Sequence, residues 1–286
     1  MVVPYRRRAL PQYAGPVEWA FCSDVAAFPA EAERRLRDDP VRNTVPLTLL
    51  LRLRLGQAVG GGLLGWLADG PAVRGVVVQT PLYPLVITDA PAESLAPLAA
   101  ALRAHDLPGV TGPAPVAAAF ARAYGRPESG RMDQRLYHLT EPREPRASGR
   151  ARAAVPGDLD LLAGWYKAFL DESQPGHPDD DPVPGVRLGI ERGELFVWED
   201  DGRPVAAAGH TPPVESTARI AVVYTPPHAR RHGYGAAVTY AASMAVLATG
   251  VDRVLLFTDL ANPTSNSIYQ AIGYRPVGDY AQIVFG

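Results

Sequence analysis

The sequence predicts an α/β protein built from two similar halves. In each half the hydrophobic patterns follow one order: a hairpin, a strand, a helix, a strand, a helix and a closing strand. Residues 141–156 lie between the halves, are charged and proline-rich, and contain the best candidate for a linker. We therefore predict two domains, residues 1–140 and residues 141–286. An internal duplication would explain the shared order, and a chance match of two α/β domains is the alternative.

The elements of the first half are predicted from periodicity and turn residues. Leucines crowd residues 44–56, which indicates a mostly buried helix, and Asp69-Gly70 marks the turn of a hairpin. The remaining predicted elements are a short helix at 31–38, a strand at 84–89, helices at 92–105 and 115–125, and a strand at 134–140.

The second half has the clearer patterns. Apolar residues recur at helical spacing through 158–173, and Asp201-Gly202 marks the turn of a hairpin within 194–210. Asn262-Pro263 has the residues of a helix N-cap and the first helical position. The other predicted elements are a loop at 174–185, strands at 218–225 and 252–259, a helix between them that ends at Gly250, a helix that ends near Gly273, and a final strand.

Composition excludes several classes of protein. The 286 residues are 47% hydrophobic and 20% charged, which is typical of a globular protein that buries a proper core. The net charge of −2 provides no basic field for nucleic acid. No stretch approaches the ~20 apolar residues that cross a bilayer, and no secretory signal is recognisable, so we expect a cytoplasmic protein without membrane association.

Neither cysteine nor metal chemistry is expected from the sequence. Cys22 is the only cysteine, which excludes an internal disulfide, and its apolar neighbours favour a buried side chain over a catalytic nucleophile. His228 and His232 lie four residues apart, but beside arginines and in a predicted loop, so we assign no metal to them.

The segment TPPHARRHGYGAAVTY, residues 225–240, combines features that suit a phosphate group. A helix start leaves its first N–H groups unpaired, and the helix dipole adds about half a positive charge there. Glycines let a ligand approach the backbone without meeting a Cβ atom, and arginines add charge and donors. The spacing Arg230-x-x-Gly233-x-Gly235 matches neither a P-loop nor a dinucleotide-binding motif.

In its context this loop resembles the acyl-CoA pyrophosphate loop of the GNAT superfamily of N-acetyltransferases. It follows a strand that ends in proline, precedes a helix, and is followed by a second motif of that family in NPTSNSIYQAIGYRP. The resemblance covers residues ~150–286. The first half resembles only the degenerate amino-terminal domain of two-domain members, such as the glycine N-acyltransferase-like group. At the position that corresponds to Tyr269 of the second half, it has Phe120. The residues of the second motif are Asn262, Tyr269, Gly273 and Tyr274.

The resemblance implies a GNAT fold, with a central mixed, mostly antiparallel sheet flanked by helices, and acetyl-CoA as the cosubstrate. Tyr269 would be the general acid, and Asn262 would contact the pantetheine or its thiol end. The main chain of Val223, Tyr224 and Thr225 would pair with the pantetheine arm. The pyrophosphate would be held by the amides of Arg230, Arg231, His232, Gly233, Tyr234 and Gly235.

These roles agree with the chemistry of acyl transfer. When an amine attacks a thioester, negative charge develops on the carbonyl oxygen, which a backbone N–H near Val223 can stabilise. Charge then develops on sulfur, which a tyrosine can protonate because its pKa of ~10 lies near the ~8.5 of a thiol. The alternative for Tyr269 is an aromatic of a buried helix face, beside Ile268 and Ile272. The base that accepts the ammonium proton stays open, because the strand before the loop has no carboxylate; candidates are His210, Asp259, His228, Glu215 or water.

We therefore expect an acetyl-CoA-dependent N-acetyltransferase that moves an acetyl or short acyl group to a primary amine of a small molecule, by direct attack in a ternary complex. One alternative is a non-catalytic acyl-CoA-binding sensor or structural module, against which an intact Tyr269 argues. Another is a transferase acting on a protein or an aminoacyl-tRNA, and the net charge of −2 argues against tRNA. The acceptor and the acyl chain length are not readable, and a homodimer stays open. In the first half, the segment that corresponds to the arginine- and glycine-containing loop is acidic. We therefore expect this half to shape the substrate cleft or a dimer surface.

Overall fold

The computed structural model describes residues 17–57, 62–173 and 181–286, and contacts divide the chain into two units. The first unit comprises residues 1–134 and 278–286, and the second comprises residues 135–277. The division therefore falls six residues before the predicted boundary at 140, and the last nine residues group with the first unit.

The first unit is an open sheet covered by helices. Its elements are β1 (Glu18–Cys22), α1 (Ala30–Arg37), α2 (Thr44–Arg54), β2 (Leu63–Asp69), β3 (Ala72–Gln79), β4 (Leu85–Ile87), α3 (Leu95–Ala101), β5 (Gly109–Pro113), α4 (Ala114–Tyr124) and the start of β6 (Glu128–Leu139). The strand order is β1-β2-β3-β4-β5, antiparallel except for the parallel pair β4 and β5. Residues 280–284 of the final strand pair antiparallel with β5.

The second unit repeats the same order of elements. These are β7 (Arg150–Ala153), α5 (Leu159–Ser173), α6 (Val183–Glu191), β8 (Leu195–Asp200), β9 (Arg203–His210), β10 (Thr217–Tyr224), α7 (Tyr234–Ala248), β11 (Arg253–Asp259), α8 (Pro263–Ala271) and the start of β12 (Tyr274–Phe285). The strand order is β7-β8-β9-β10-β11, followed by the end of β6. Only β10 and β11 are parallel among the registered pairs of this unit, so the sheet is mixed and mostly antiparallel, as predicted.

Two apolar clusters hold the second unit together on opposite faces of its sheet. One packs the buried face of α7, including Val238 and Ala242, against Ala206 and Ala208 of β9. The other packs α5 and α6 against Val197 and Ala207 of the neighbouring strands. Alternate residues of β9 thus enter different clusters, which is the two-residue period of a strand covered on both sides.

Several short elements differ from the sequence prediction. Helix α6 begins at Val183, inside the predicted loop 174–185, of which residues 174–180 lie outside the described part. Strand β7 lies inside the predicted linker, and β1 was not predicted. Strand β5 occupies the place that the predicted order gives to a strand between the two helices, but no residues were assigned to that strand. Cys22, predicted to be buried, is half-buried on β1, and burial raises the pKa of its thiol to about 11.

Candidate active site

The parallel strands β10 and β11 pair for only part of their length. Thr217–Ile220 pair in register with residues 253–256, and both strands continue beyond this stretch, to Tyr224 and Asp259. The hydrogen-bonded pairing of β10 with β11 ends at Ile220 and its partner Leu256. The ends of β10 and β11 beyond this pairing will be called the opening, and main-chain polar groups that face each other there without a partner can pair with an extended ligand.

A β-bulge in β10 lies at this opening. Ala221 lies opposite Gly209 and Tyr224 lies opposite Ala207, so two residues of β10, Val222 and Val223, face a single residue of β9. Val222 has a φ of +55°, which is unfavourable for a β-branched residue. A bulge leaves an unpaired main-chain group and increases the local twist, which bends the end of β10.

The loop after β10 leads into the amino terminus of α7. Two residues in it adopt left-handed conformations, Arg231 with a φ of +68° and Gly233 with a φ of +83°. The first hydrogen bond of the helix runs from the amide of Ala237 to the carbonyl of Gly233, at 3.0 Å. The amides of residues 234–236 therefore have no carbonyl of their own helix, and they form the positive end of its dipole.

Arg230 is held by an acidic residue of α5. Its guanidinium makes two bonds to the carboxylate of Glu172, at 2.7 and 3.0 Å, and its Nε donates to the carbonyl of Thr225 at 2.9 Å. The guanidinium also lies 5.9 Å from the centre of the Tyr224 ring, whose hydroxyl donates to Glu172 at 3.2 Å. Burial, together with this carboxylate, raises the pKa of Tyr224. The charge of Arg230 is thus already paired in this conformation.

A second polar cluster fixes the first turn of α7. The rings of His232 and Tyr234 stack at 5.4 Å with an interplanar angle of 14°. The Tyr234 hydroxyl donates to the carboxylate of Asp200, and the Ser148 hydroxyl donates to the same carboxylate at 2.9 Å. The hydrogen bond from Tyr234 lowers the pKa of Asp200 and raises that of Tyr234. The Tyr234 ring is therefore held by a hydrogen bond at its hydroxyl and by the stacked His232 ring on one face.

Helix α8 begins as its sequence predicts. Asn262 is exposed and its Oδ1 accepts a hydrogen bond from the amide of Ser265 at 3.0 Å, with Pro263 at the first helical position. The turn before it is held by Asn266, whose side-chain amide donates at 2.8 Å to the carbonyls of both Asp259 and Asn262. The Tyr137 hydroxyl donates to the remaining oxygen of Asn266 at 2.9 Å. The sequence did not single out Asn266 or Tyr137, because Asn266 lies between the positions that define the second motif and Tyr137 lies in the other half of the predicted chain.

Tyr269 lies on the buried face of α8. It is 8% exposed, belongs to the apolar cluster that includes Ile272, and meets the edge of the Tyr274 ring at 6.2 Å between centroids. Burial raises its pKa to about 12, and a hydrogen bond with Ser265 opposes this shift. Its hydroxyl is therefore protonated throughout the neutral range, which a proton donor requires.

The candidate bases occupy different environments. Nδ1 of His210 lies 3.0 Å from the carbonyl of Thr211, and His210 pairs across the sheet with Ile220, where the registered pairing of β10 and β11 ends. Asp259 accepts a hydrogen bond from the amide of Ala261 at 2.8 Å and so braces the turn before α8. His228 is exposed in the loop before α7, and Glu215 has a φ of +47° in the turn before β10. His210 combines a position beside the opening with a second ring nitrogen that remains available.

The predicted site residues thus lie on two consecutive strands and on the helices that follow them. Residues 223–235 run from the bulge of β10 into α7, while Asn262 and Tyr269 lie on α8 after the adjacent strand β11. Across the described ranges 17–57, 62–173 and 181–286, no cluster of three or more metal-ligating side chains occurs. Within those same ranges no helix is long and apolar enough to span a membrane.

Comparisons with known sequences give matches that include most of the second unit. The model of the acetyltransferase (GNAT) family matches residues 162–274. A mycothiol acetyltransferase of Beutenbergia cavernae is 28% identical over 200 residues, which cover 62% of this chain and 63% of that protein. The chain therefore spans 63% of the length of this curated relative.

Solved structures show the same fold over nearly the whole chain. A GNAT-family acetyltransferase of Colwellia psychrerythraea has a TM-score of 0.61 at 13% identity, covering 94% of this chain and all of that one. A GCN5-related N-acetyltransferase of Sphaerobacter thermophilus has a TM-score of 0.59 at 16% identity, covering 93% and 94%. The fold is therefore that of the GNAT proteins.

Proposed function

We propose that the second unit transfers an acetyl or short acyl group from acetyl-CoA to a primary amine of a small molecule. The observation that carries this proposal is the opening between β10 and β11, which leads directly into a glycine-containing loop at the start of α7. An extended, amide-bearing arm that ends in a pyrophosphate complements both features at once. The name of the curated relative, mycothiol acetyltransferase, supports a small-molecule acceptor.

The described residues can assist each step of a direct transfer. The bulge at Val222 and Val223 supplies a main-chain N–H for the oxyanion that forms when the amine attacks the thioester. As the carbon–sulfur bond breaks, the Tyr269 hydroxyl donates a hydrogen bond to the departing sulfur and stabilises the negative charge that develops there. When neutral His210 donates from Nδ1 to Thr211, its Nε2 is left to accept the proton of the amine, directly or through water. The products are an acylated amine and free CoA.

The test is calorimetric titration with acetyl-CoA, followed by measurement of CoA release with a series of small primary amines. We expect one binding site per chain, and CoA release only when an amine is present. Binding without release for any amine, protein or aminoacyl-tRNA would favour a sensor over an enzyme. Absence of binding by acetyl-CoA and by longer acyl-CoA would overturn the proposal.

A matched pair of glycine variants isolates the loop. Gly233 has a φ of +83°, and an added Cβ atom would lie 3.2 Å from the carbonyl of Arg146. Gly250, after the carboxyl end of α7, has a φ of +89° with no atom within 4 Å of an added Cβ. Alanine at either position costs ~1–2 kcal/mol in backbone strain. We expect Gly233→Ala to weaken acetyl-CoA binding at least tenfold and Gly250→Ala to leave it unchanged; equal binding by both would refute the loop assignment.

A further inference from the structure

A chain of hydrogen bonds holds the turn that joins β11 to α8. Asn266, in the first turn of α8, donates from Nδ2 to the carbonyls of Asp259 and Asn262, at 2.8 Å each. Its Oδ1 accepts from the hydroxyl of Tyr137 at 2.9 Å, and Nε2 of Gln270 donates to that hydroxyl at 3.0 Å. Both polar atoms of the Asn266 side chain are thus engaged, and they reach both ends of the turn.

Tyr137 determines which way the amide of Asn266 points. Tyr137 lies on β6, beside β11 in the sheet, and its side chain is fully buried. An amide turned the other way would place Oδ1 against two carbonyl oxygens and would leave the proton of the Tyr137 hydroxyl without its acceptor. Tyr137 therefore selects the orientation in which Asn266 holds the turn.

The same turn carries Asn262, the residue predicted to contact the cosubstrate. Asn262 is exposed, and its Oδ1 accepts from the amide of Ser265, whereas its Nδ2 has no hydrogen-bond partner among the residues that the structure describes. Asn266 lies four residues after Asn262 and three before Tyr269, so it occupies the place between them on α8. A shift of the turn would therefore move the amide of Asn262 relative to the end of β11.

We propose that Asn266 and Tyr137 are positioning residues for acyl transfer. Tyr137 orients the amide of Asn266, which holds the turn so that Nδ2 of Asn262 points into the opening. The inference rests on the proposed function, because it takes acyl-CoA to lie in the opening with its pantetheine arm near Asn262. Catalytic groups must be held within about 0.5 Å of their productive positions, and a displacement of ~1 Å can cost 10²-fold in rate. Loss of these bonds should therefore slow the reaction more than it weakens binding.

The experiment removes the two side-chain functions singly. Tyr137→Phe keeps the buried ring and removes only the hydroxyl, while Asn266→Leu keeps a similar volume and removes every bond to the turn. We expect the single-turnover rate at saturating acetyl-CoA to fall about fivefold in Tyr137→Phe and about 20-fold in Asn266→Leu. The acceptor is the amine that releases CoA fastest in the series above. The Kd for acetyl-CoA should rise by about threefold at most, because the proposed contacts with β10 and the loop around Gly233 remain.

The double variant tests whether Tyr137 acts through Asn266. If it does, Tyr137→Phe should cause no further loss of rate in the Asn266→Leu background, because no amide is left to orient. A double variant whose loss is the product of the two single losses would show separate effects and would overturn the inference.

Tyr274→Phe is the matched control for a general loss of stability. Tyr274 belongs to the same buried cluster as Tyr137, and its hydroxyl bonds with that of Ser243 at 2.8 Å. We expect Tyr137→Phe and Tyr274→Phe to lower the midpoint of thermal unfolding by similar amounts, while Tyr274→Phe keeps the rate within about twofold of wild type. If both lose rate equally, or if Tyr137→Phe loses none, the inference is overturned while the proposed function stands. If the wild-type protein binds no acyl-CoA, the proposed function fails and the inference fails with it.

Discussion

Replacement of Tyr269 by phenylalanine separates its role in the core from its proposed role in catalysis. Phenylalanine retains every carbon contact of a ring that is 8% exposed and removes only the hydroxyl with its hydrogen bond to Ser265. Loss of one such bond costs ~0.5–1.5 kcal/mol of unfolding free energy, which leaves a domain folded. Acyl-CoA affinity should not change, because the proposed contacts of the ligand with β10 and the loop remain.

The size of the catalytic effect follows from the pKa of Tyr269. Because burial raises it to about 12, complete proton transfer to a thiolate with a pKa of ~8.5 would be uphill by ~3.5 units, or ~5 kcal/mol. The hydroxyl can therefore stabilise the departing sulfur as a hydrogen-bond donor in the transition state, but it gains little from full transfer. We expect kcat to fall about 10²-fold, at the lower end of the 10²- to 10⁴-fold range for general acids.

Tyr274→Phe provides the control for this experiment. Tyr274 is fully buried in the same cluster, and its hydroxyl bonds with that of Ser243 at 2.8 Å. Phenylalanine keeps the ring that contacts Tyr269 and deletes only the buried hydrogen bond with Ser243, which is comparable to the one lost in Tyr269→Phe. Single-turnover rates at saturating acetyl-CoA, measured for both variants, decide the matter. The reasoning is refuted if Tyr269→Phe keeps kcat within twofold of wild type, or if Tyr274→Phe loses as much.

Four further predictions follow from individual contacts. The pKa of Tyr269 is raised by burial from 10.0 to about 12, so its contribution to stability is full below pH ~10 and is lost as pH rises to ~12; in alkaline denaturation, Tyr269→Phe should reduce that loss by ~2–3 kcal/mol. Glu172→Gln should release Arg230 and tighten acetyl-CoA binding three- to tenfold by calorimetry, while costing under ~1 kcal/mol of stability, since both side chains are nearly half exposed; unchanged affinity would show that Arg230 does not reach the ligand. Asn262→Asp should keep the helix cap and Asn262→Ala should lose ~1 kcal/mol on thermal unfolding, whereas both should slow turnover if the side-chain amide contacts the cosubstrate. Cys22, with its pKa raised to about 11, should be alkylated ~10-fold more slowly than a free cysteine at pH 8, as measured by mass spectrometry.

Elements set by local chemistry were predictable from the sequence. Both predicted hairpins form: the second turns at Asp201-Gly202, with positive φ at both residues, and the first turns at Gly70 and Pro71, one residue later than predicted, with positive φ at Gly70. Asn262 caps α8 through its own side chain. In each case the residue type alone selects the conformation, through glycine's freedom or the short polar side chain of Asp and Asn. The long amphipathic stripe of α5 is also visible without any knowledge of its partners.

Elements that depend on distant partners were missed. Strand β5 has the sequence GVTGP, whose glycines and proline argue against a strand. Its glycines are required because a Cβ on Gly109 or Gly112 would lie 2.3 Å from a carbonyl of a neighbouring strand, that of Ile283 or Ile87. Helix α6 likewise contains Pro184 and two glycines, and it forms because its apolar side packs into the cluster with α5. Tertiary contact here overrides local preference.

The same distinction applies to the candidate site. Motif spacing was enough to select the loop from Arg230 to Gly235 and the pair Asn262 and Tyr269. The bulge at Val222 could not be predicted, because it is defined by the register of β10 against β9. The pairing of Arg230 with Glu172 joins residues 58 positions apart, and no local pattern marks it.

The first unit has the same order of elements as the second but differs from it at the place that corresponds to the candidate site. Its strand β4, which corresponds to β10, pairs with β3 without a register shift, and Gly112 of β5 packs against the carbonyl of Ile87 where β4 ends. The strands are therefore held together at the point corresponding to the opening in the second unit. The position of Tyr269 is taken by Phe120, which is fully buried, stacks on Tyr124 and has no proton to donate. We infer that acyl transfer depends on the bulge, the glycine loop and the tyrosine together, and that a unit retaining the order of elements without these three features has no acyl-CoA site of this kind.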